Sequence, residues 1–169
     1  MAKPNPALNE WMMTKEHSYS VLIDWIGSKQ GTTESYTSYS REFTVHCDGK
    51  QDLLGSSDPA FRGDPKLYNP EEMLLASISS CHMLWYLHLC AVNHIHVLSY
   101  KDDAKGIMIE DKNGGRFTEV ILRPAVVIKK DNDPKHALLL HEKAHEQCFI
   151  ANSVNFPIKC HPTVNAVLK

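Results

Sequence analysis

An α+β fold in one domain, residues 1–169, is what this sequence predicts, with its segments in the order βββαββαβ. Three observations lead there. Apolar residues alternate at period two before residue 55, as strands with one face in a core require. A long apolar stretch then opens on Asn69-Pro70 and repeats at helical spacing. The two helical stretches are separated by a pair of strands, which favours helices packed on sheet surface over an alternating parallel sheet. With 169 residues and 43% hydrophobic content, the chain is long enough to bury one core.

In chain order, Tyr19, Val21, Ile23 and Trp25 predict a first strand, and Tyr39, Arg41, Phe43, Val45 and Cys47 a second, after a polar turn around Gly31. A short third strand is expected from Gln51 to Leu54. The loop GSSDPAFRGDPKLY follows, its Gly, Pro, Ser and Asp content marking irregular backbone. The first helix is expected to run to about Asn93. Asn69 supplies the cap, Pro70 suits the first helical position, and Glu71 and Glu72 meet the positive end of the helix dipole. Leu74, Ile78, Cys81, Trp85 and His88 recur three and four apart and are expected on one inward face. The apolar character of this long central helix suggests burial on more than one side, the second by another subunit. Strands near 95–110 and 117–129 are joined by DKNGG, whose Asn-Gly pair favours a hairpin turn. Asp133-Pro134 repeats the cap-then-proline signal and opens a helix through about Gln147. The segment 155–168 reads as a closing strand broken at Pro157 and Pro162.

Eighteen basic against twenty acidic side chains leave a formal charge of -2, too balanced to gather a phosphate backbone or an anionic lipid surface. Nucleic acid and membrane are therefore not expected partners. The first seventeen residues hold no signal-like apolar run, and no later segment reads as uninterrupted enough to span a bilayer, so a cytoplasmic location is expected. Five cysteines, an odd number at wide spacing, argue against a disulfide scaffold. Catalytic thiols, metal ligands and inert core residues remain.

Cys81, within the first helix, and Cys148, at the end of the second, occupy the two best-defined settings. A thiol is a nucleophile only as the thiolate, and Cys81 lies too far from its helix start for the dipole to help, so an arginine is required. Arg41 and Arg62 are the two choices, with Glu71 or Glu72 to hold the guanidinium. His141, Glu142 and His145 spell H-E-x-x-H, but no third ligand stands at a suitable spacing downstream, which argues against a metalloprotease. His141, His145 and Cys148 share a helix face and form a minor metal possibility. His82, Cys47, Cys90 and Cys160 receive no chemistry, and His94 and His96 read as solvent-exposed.

The string NPEEMLLASISSCHM, followed by AHEQCFIANS with its cysteine 67 residues after Cys81, resembles the organic hydroperoxide resistance and osmotically induced protein C (Ohr/OsmC) family. The likeness extends over most of the chain. It implies an OsmC-like fold in an intertwined homodimer with sites between subunits, and a thiol-dependent peroxidase acting on organic hydroperoxides. Residue by residue, it implies Cys81 as the peroxidatic cysteine, Cys148 as the resolving one, Glu71 as the carboxylate that orients the activating arginine, and Arg62, in preference to Arg41, as that arginine. A lipoyl-type dithiol is the implied reductant. No cofactor and no metal are expected. The alternative is a non-catalytic stress-associated or ligand-binding protein on the same fold, and beyond it a His/Cys metal site. Met73, Leu75, Met83 and Trp85 are candidates to line an apolar peroxide pocket, with Leu75 and Met83 read as core in preference.

Overall fold

The structure is a computed structural model and describes residues 15–112 and 114–167. The chain divides between Leu67 and Tyr68 into two compact units. In the first, β1 (Leu22–Trp25), β2 (Phe43–His46) and β3 (Leu53–Gly55) form an antiparallel sheet in that order. Trp25 pairs with Phe43, and Phe43 in turn with Gly55. The strands are shorter than the alternation suggested, because the chain doubles back tightly after β1. There the Ile26 and Gly27 amides both donate to Glu42 O, and Trp25 Nε1 donates to Ser40 O at 2.8 Å. A Cβ on Gly27 would lie 2.0 Å from that same Ser40 oxygen, so only glycine allows the approach.

The second unit begins with α1 (Pro70–Val92), whose start follows the expected chemistry. Asn69 accepts from the Glu72 amide at 2.8 Å, and the Glu72 carboxylate accepts from the Asn69 amide at 3.2 Å, a reciprocal capping box. The α1 residues buried in the core are Ile78, His82, Tyr86 and Cys90. This stripe is rotated from the one expected. Cys81 and Trp85 lie at its half-buried edge, and His88 is exposed. Apolar periodicity placed Cys81 inward and left His82 out. The packing reverses that, because the polar rings of His82 and His141 face each other in the interior at 3.0 Å.

Two sheets complete this unit. One orders β4 (Val97–Asp102), β7 (Pro124–Lys129) and β9 (Thr163–Val167), and the other β5 (Lys105–Asp111), β6 (Gly114–Leu122) and β8 (Ile158–Cys160). β5 and β6 form the expected hairpin, with Asp111 opposite Gly114. Each of the two long strands expected here is cut in two, and one side chain explains both cuts. The Asp102 carboxylate accepts from the Arg123 amide at 2.6 Å, taking a donor that would otherwise continue the ladder. Its other oxygen accepts from Ser79 Oγ of α1, also at 2.6 Å. Pro124, which has no amide hydrogen, then starts β7. The closing segment is cut at Pro162, as its prolines suggested, into β8 and β9.

α2 (Pro134–Gln147) is capped by Asp133, which accepts from the Lys135 amide at 2.9 Å. Ala137, Leu140 and Ala144 bury against Tyr86, Cys90, Val126 and Ile128. A second cluster gathers Ile78, Val120 and Leu122. By length and apolarity α1 is sufficient to cross a membrane, which corrects the expectation that no segment is. Its packed stripe is that of a core helix, while Leu84, 62% exposed, and Val92 on its other side are uncovered.

Candidate active site

Cys81 projects from the middle of α1, and Cys148 caps the C-terminus of α2 with extended backbone (φ -70, ψ 109). The packing of the two helices brings these thiols together. Cys148 is 0% exposed, and its thiol is pushed up to about 11, chiefly by burial and further by its hydrogen bond to Cys81. The nearby Cys81 sulfur thus favours the protonated form of Cys148. The Ala151 amide, 3.5 Å from Cys148 Sγ, and the Ile150 amide act in the opposite sense, as donors that favour negative charge on that sulfur. One turn along α1, Trp85 packs edge-on against Phe149 at 5.4 Å, so a second contact braces the same crossing.

The other residues expected at the site are placed as follows. Glu71 stands half-buried in the first turn of an unbroken α1, roughly 15 Å along the axis from Cys81 at the helical rise. The structure therefore does not bring the Glu71 carboxylate to the Cys81 sulfur. Arg62 belongs to the first unit, at the end of a short 3-10 turn (Pro59–Phe61) in a left-handed conformation (φ 67). Arg41, also in the first unit, donates to the carbonyls of Tyr36 and Tyr39 and lies over both their rings, which holds its guanidinium locally. Leu75 and Met83 line an open cleft of about 440 Å³ with Ser79 and Asp102, and Cys81 is not among its walls.

His82 and Cys160, expected to carry no chemistry, meet His141 of the H-E-x-x-H string nearby in the second unit. His82 Nε2 lies 3.0 Å from His141 Nδ1 and 3.6 Å from Cys160 Sγ. His82 and His141 are only 1% and 2% exposed. The His141 ring stacks on Tyr86 with centroids 3.8 Å apart. Burial holds His82 down to about 4, with repulsion from His145 adding and Asp102 opposing, and holds His141 down to about 3, with His82 adding. Both imidazoles are neutral at ordinary pH. The sequence signal for His82 was the four-residue spacing Ile78, His82, Tyr86, Cys90. Cys160 carried none.

Comparison with known proteins agrees with this architecture. The profile of the OsmC-like protein family matches residues 63–162, and the chain belongs to that family. An OsmC-like protein of unknown function from Vibrio cholerae is 34% identical, with a TM-score of 0.77 over 88% of this chain and 100% of its own. The organic hydroperoxide resistance protein OhrB of Bacillus subtilis shares the fold at 20% identity and a TM-score of 0.59, over 86% of this chain and 98% of its own. The uncharacterised B. subtilis protein YmaD is 26% identical over 51% of this chain, and the match spans 59% of that protein's length.

Proposed function

We propose that this chain is a thiol-dependent peroxidase that reduces organic hydroperoxides to alcohols, with Cys81 as the attacking sulfur and Cys148 as the resolving one. The observation that carries the reading is that two thiols 67 residues apart interact directly, one buried and one at the edge of the core. The name of OhrB, a relative in fold, lends support to the substrate class. The Cys81 thiolate attacks the terminal oxygen of R–O–OH. The O–O bond breaks, Cys81 becomes a sulfenic acid, and the alkoxide leaves to take a proton as the alcohol. Cys148 then loses its proton, helped by the Ile150 and Ala151 amides, and displaces hydroxide from Cys81 to give a disulfide and water. A dithiol, of the lipoyl type by family resemblance, returns both sulfurs to thiols and leaves as its own disulfide.

Arg62 and Glu71 complete the proposal as the cation beside Cys81 and the carboxylate that orients it. A homodimer is part of the same reading. Its support is the uncovered apolar side of α1 and the exposed Leu22, Ile23 and Trp25 of β1, faces that a second copy would bury. The test is peroxide consumption with an alkyl hydroperoxide and excess dithiol. Cys81→Ser is expected to abolish turnover, and Cys148→Ser to leave Cys81 trapped as a sulfenic acid. Full turnover by Cys81→Ser would end this reading.

A further inference from the structure

The cluster of His82, His141 and Cys160 lies outside the thiol pair, and nothing in the proposed reaction uses it. Its three ligand-type atoms, His82 Nε2, His141 Nδ1 and Cys160 Sγ, all fall within 4.8 Å of one another. We propose that these three atoms bind a divalent transition metal of the zinc class, with a fourth position opening onto the neighbouring cleft.

Geometry is the first argument. A tetrahedral zinc ion has Zn–N of about 2.0–2.1 Å and Zn–S of about 2.3 Å, so the edges of its ligand tetrahedron measure about 3.3 Å between two nitrogens and about 3.5–3.6 Å between nitrogen and sulfur. The structure has 3.0 Å and 3.6 Å on the two corresponding edges. Two imidazoles and one thiolate are also the donor set that suits zinc and cobalt, and disfavours magnesium or calcium.

The second argument is what the cluster is without a metal. His82 Nδ1 and His141 Nε2 are buried with no hydrogen-bond partner among the described residues. Two buried imidazoles thus share one hydrogen bond between them and leave a ring nitrogen each unsatisfied, an arrangement that costs stability and that apolar side chains would avoid. A metal converts the inward nitrogens and the sulfur from neighbours into ligands.

Access is the third. His141 and Cys160 reach the wall of a cleft of about 730 Å³ that is also lined by Glu142, His145, Glu146 and His161. A site with three protein ligands and one open position has the form of a reactive rather than a purely structural zinc centre. His145, one helical turn beyond His141, lines the same cleft. No redox change is involved. Binding replaces the Cys160 S–H proton with the metal and releases one proton to solvent, while both imidazoles bind in their neutral form. The outer nitrogens, His82 Nδ1 and His141 Nε2, then carry hydrogens with no acceptor among the described residues. Such acceptors commonly contribute about 10–100-fold in affinity, so the site is expected to exchange its metal readily.

The test titrates cobalt(II), then zinc(II), into the full chain after chelator treatment and gel filtration. One equivalent of cobalt is expected to give tetrahedral d–d absorption and a thiolate-to-cobalt charge-transfer band, with one proton released. Cys160→Ser is expected to remove the charge-transfer band, and His82→Gln and His141→Gln to weaken binding by at least about tenfold. Cys81→Ser and Cys148→Ser should leave the spectrum unchanged, which keeps this outcome independent of the peroxidase reading. X-ray absorption on the zinc-loaded wild type, which needs no variant to fold, should find one sulfur and two or three nitrogen neighbours. No saturable binding, a charge-transfer band that survives Cys160→Ser, or a zinc shell without sulfur would each overturn the proposal.

Discussion

Acid should destabilise the metal-free protein through the two facing imidazoles, and the size of the effect follows from where they sit. An unfolded histidine titrates near 6.5, whereas burial holds His82 down to about 4 and His141 to about 3. Both folded values are depressed, so the stability these groups contribute is fully present above pH 6.5 and is lost as the pH falls from there through 4 to 3. Between pH 7 and pH 5 the unfolded chain takes up nearly one proton per ring and the folded chain almost none. The loss is about 2 kcal/mol for each histidine and about 4 kcal/mol for the pair. This figure depends only on both folded values lying well below 5. Urea denaturation in the presence of EDTA, at half-unit steps from pH 7.5 to 4.5, measures it for wild type, His82→Gln, His141→Gln and the double variant. Between pH 7 and pH 5 the wild type is expected to lose about 4 kcal/mol more than the double variant, and each single variant an intermediate amount. Parallel pH profiles for all four proteins would refute the reasoning, because they would mean that neither ring is held neutral by the fold.

Other outcomes follow from single contacts. Asn69→Ala removes the cap of α1 and one half of its reciprocal pair, and should cost about 1–2 kcal/mol in a denaturant titration. Cys148, buried and with its thiol pushed up to about 11, should alkylate at pH 7 at least about tenfold more slowly than a free cysteine in a peptide, even in urea too dilute to unfold the chain. Gly106→Ala places a Cβ 2.5 Å from Phe117 Cε1, where the ring already packs on Phe156 at 5.4 Å, and should lower stability by about 1–3 kcal/mol. Val126→Ala and Ile128→Ala, at buried positions under α2, should each cost on the order of 2–4 kcal/mol by the same measurement.

What the sequence made legible was whatever depends on neighbours in the chain. The caps at Asn69 and Asp133 were readable because a short polar side chain followed by proline acts locally. The hairpin at DKNGG was readable for the same reason. The strand cuts at Asp102 and Arg123 were not, because one carboxylate 21 residues away takes the Arg123 amide, and no local pattern encodes that. The buried face of α1 was misjudged for a related reason. Periodicity counts apolar residues, and one of the four residues α1 buries is a histidine whose partners, His141 and Cys160, lie 59 and 78 residues on. Cys81 and Cys148 were legible as candidates from their motifs. Their approach to each other is a property of the α1–α2 crossing alone. Cys160, in a short strand with no motif around it, was illegible in principle, since its significance lies wholly in what folds against it.

The proposed reaction requires Cys81 and Cys148 to work as a redox pair. One equivalent of an alkyl hydroperoxide added to the fully reduced chain, followed by alkylation in denaturant, non-reducing digestion and mass spectrometry, reads it directly. A single Cys81–Cys148 cross-link is expected, with Cys47, Cys90 and Cys160 recovered as alkylated thiols. Recovery of Cys81 and Cys148 as separate alkylated peptides, with the peroxide unconsumed, would contradict it.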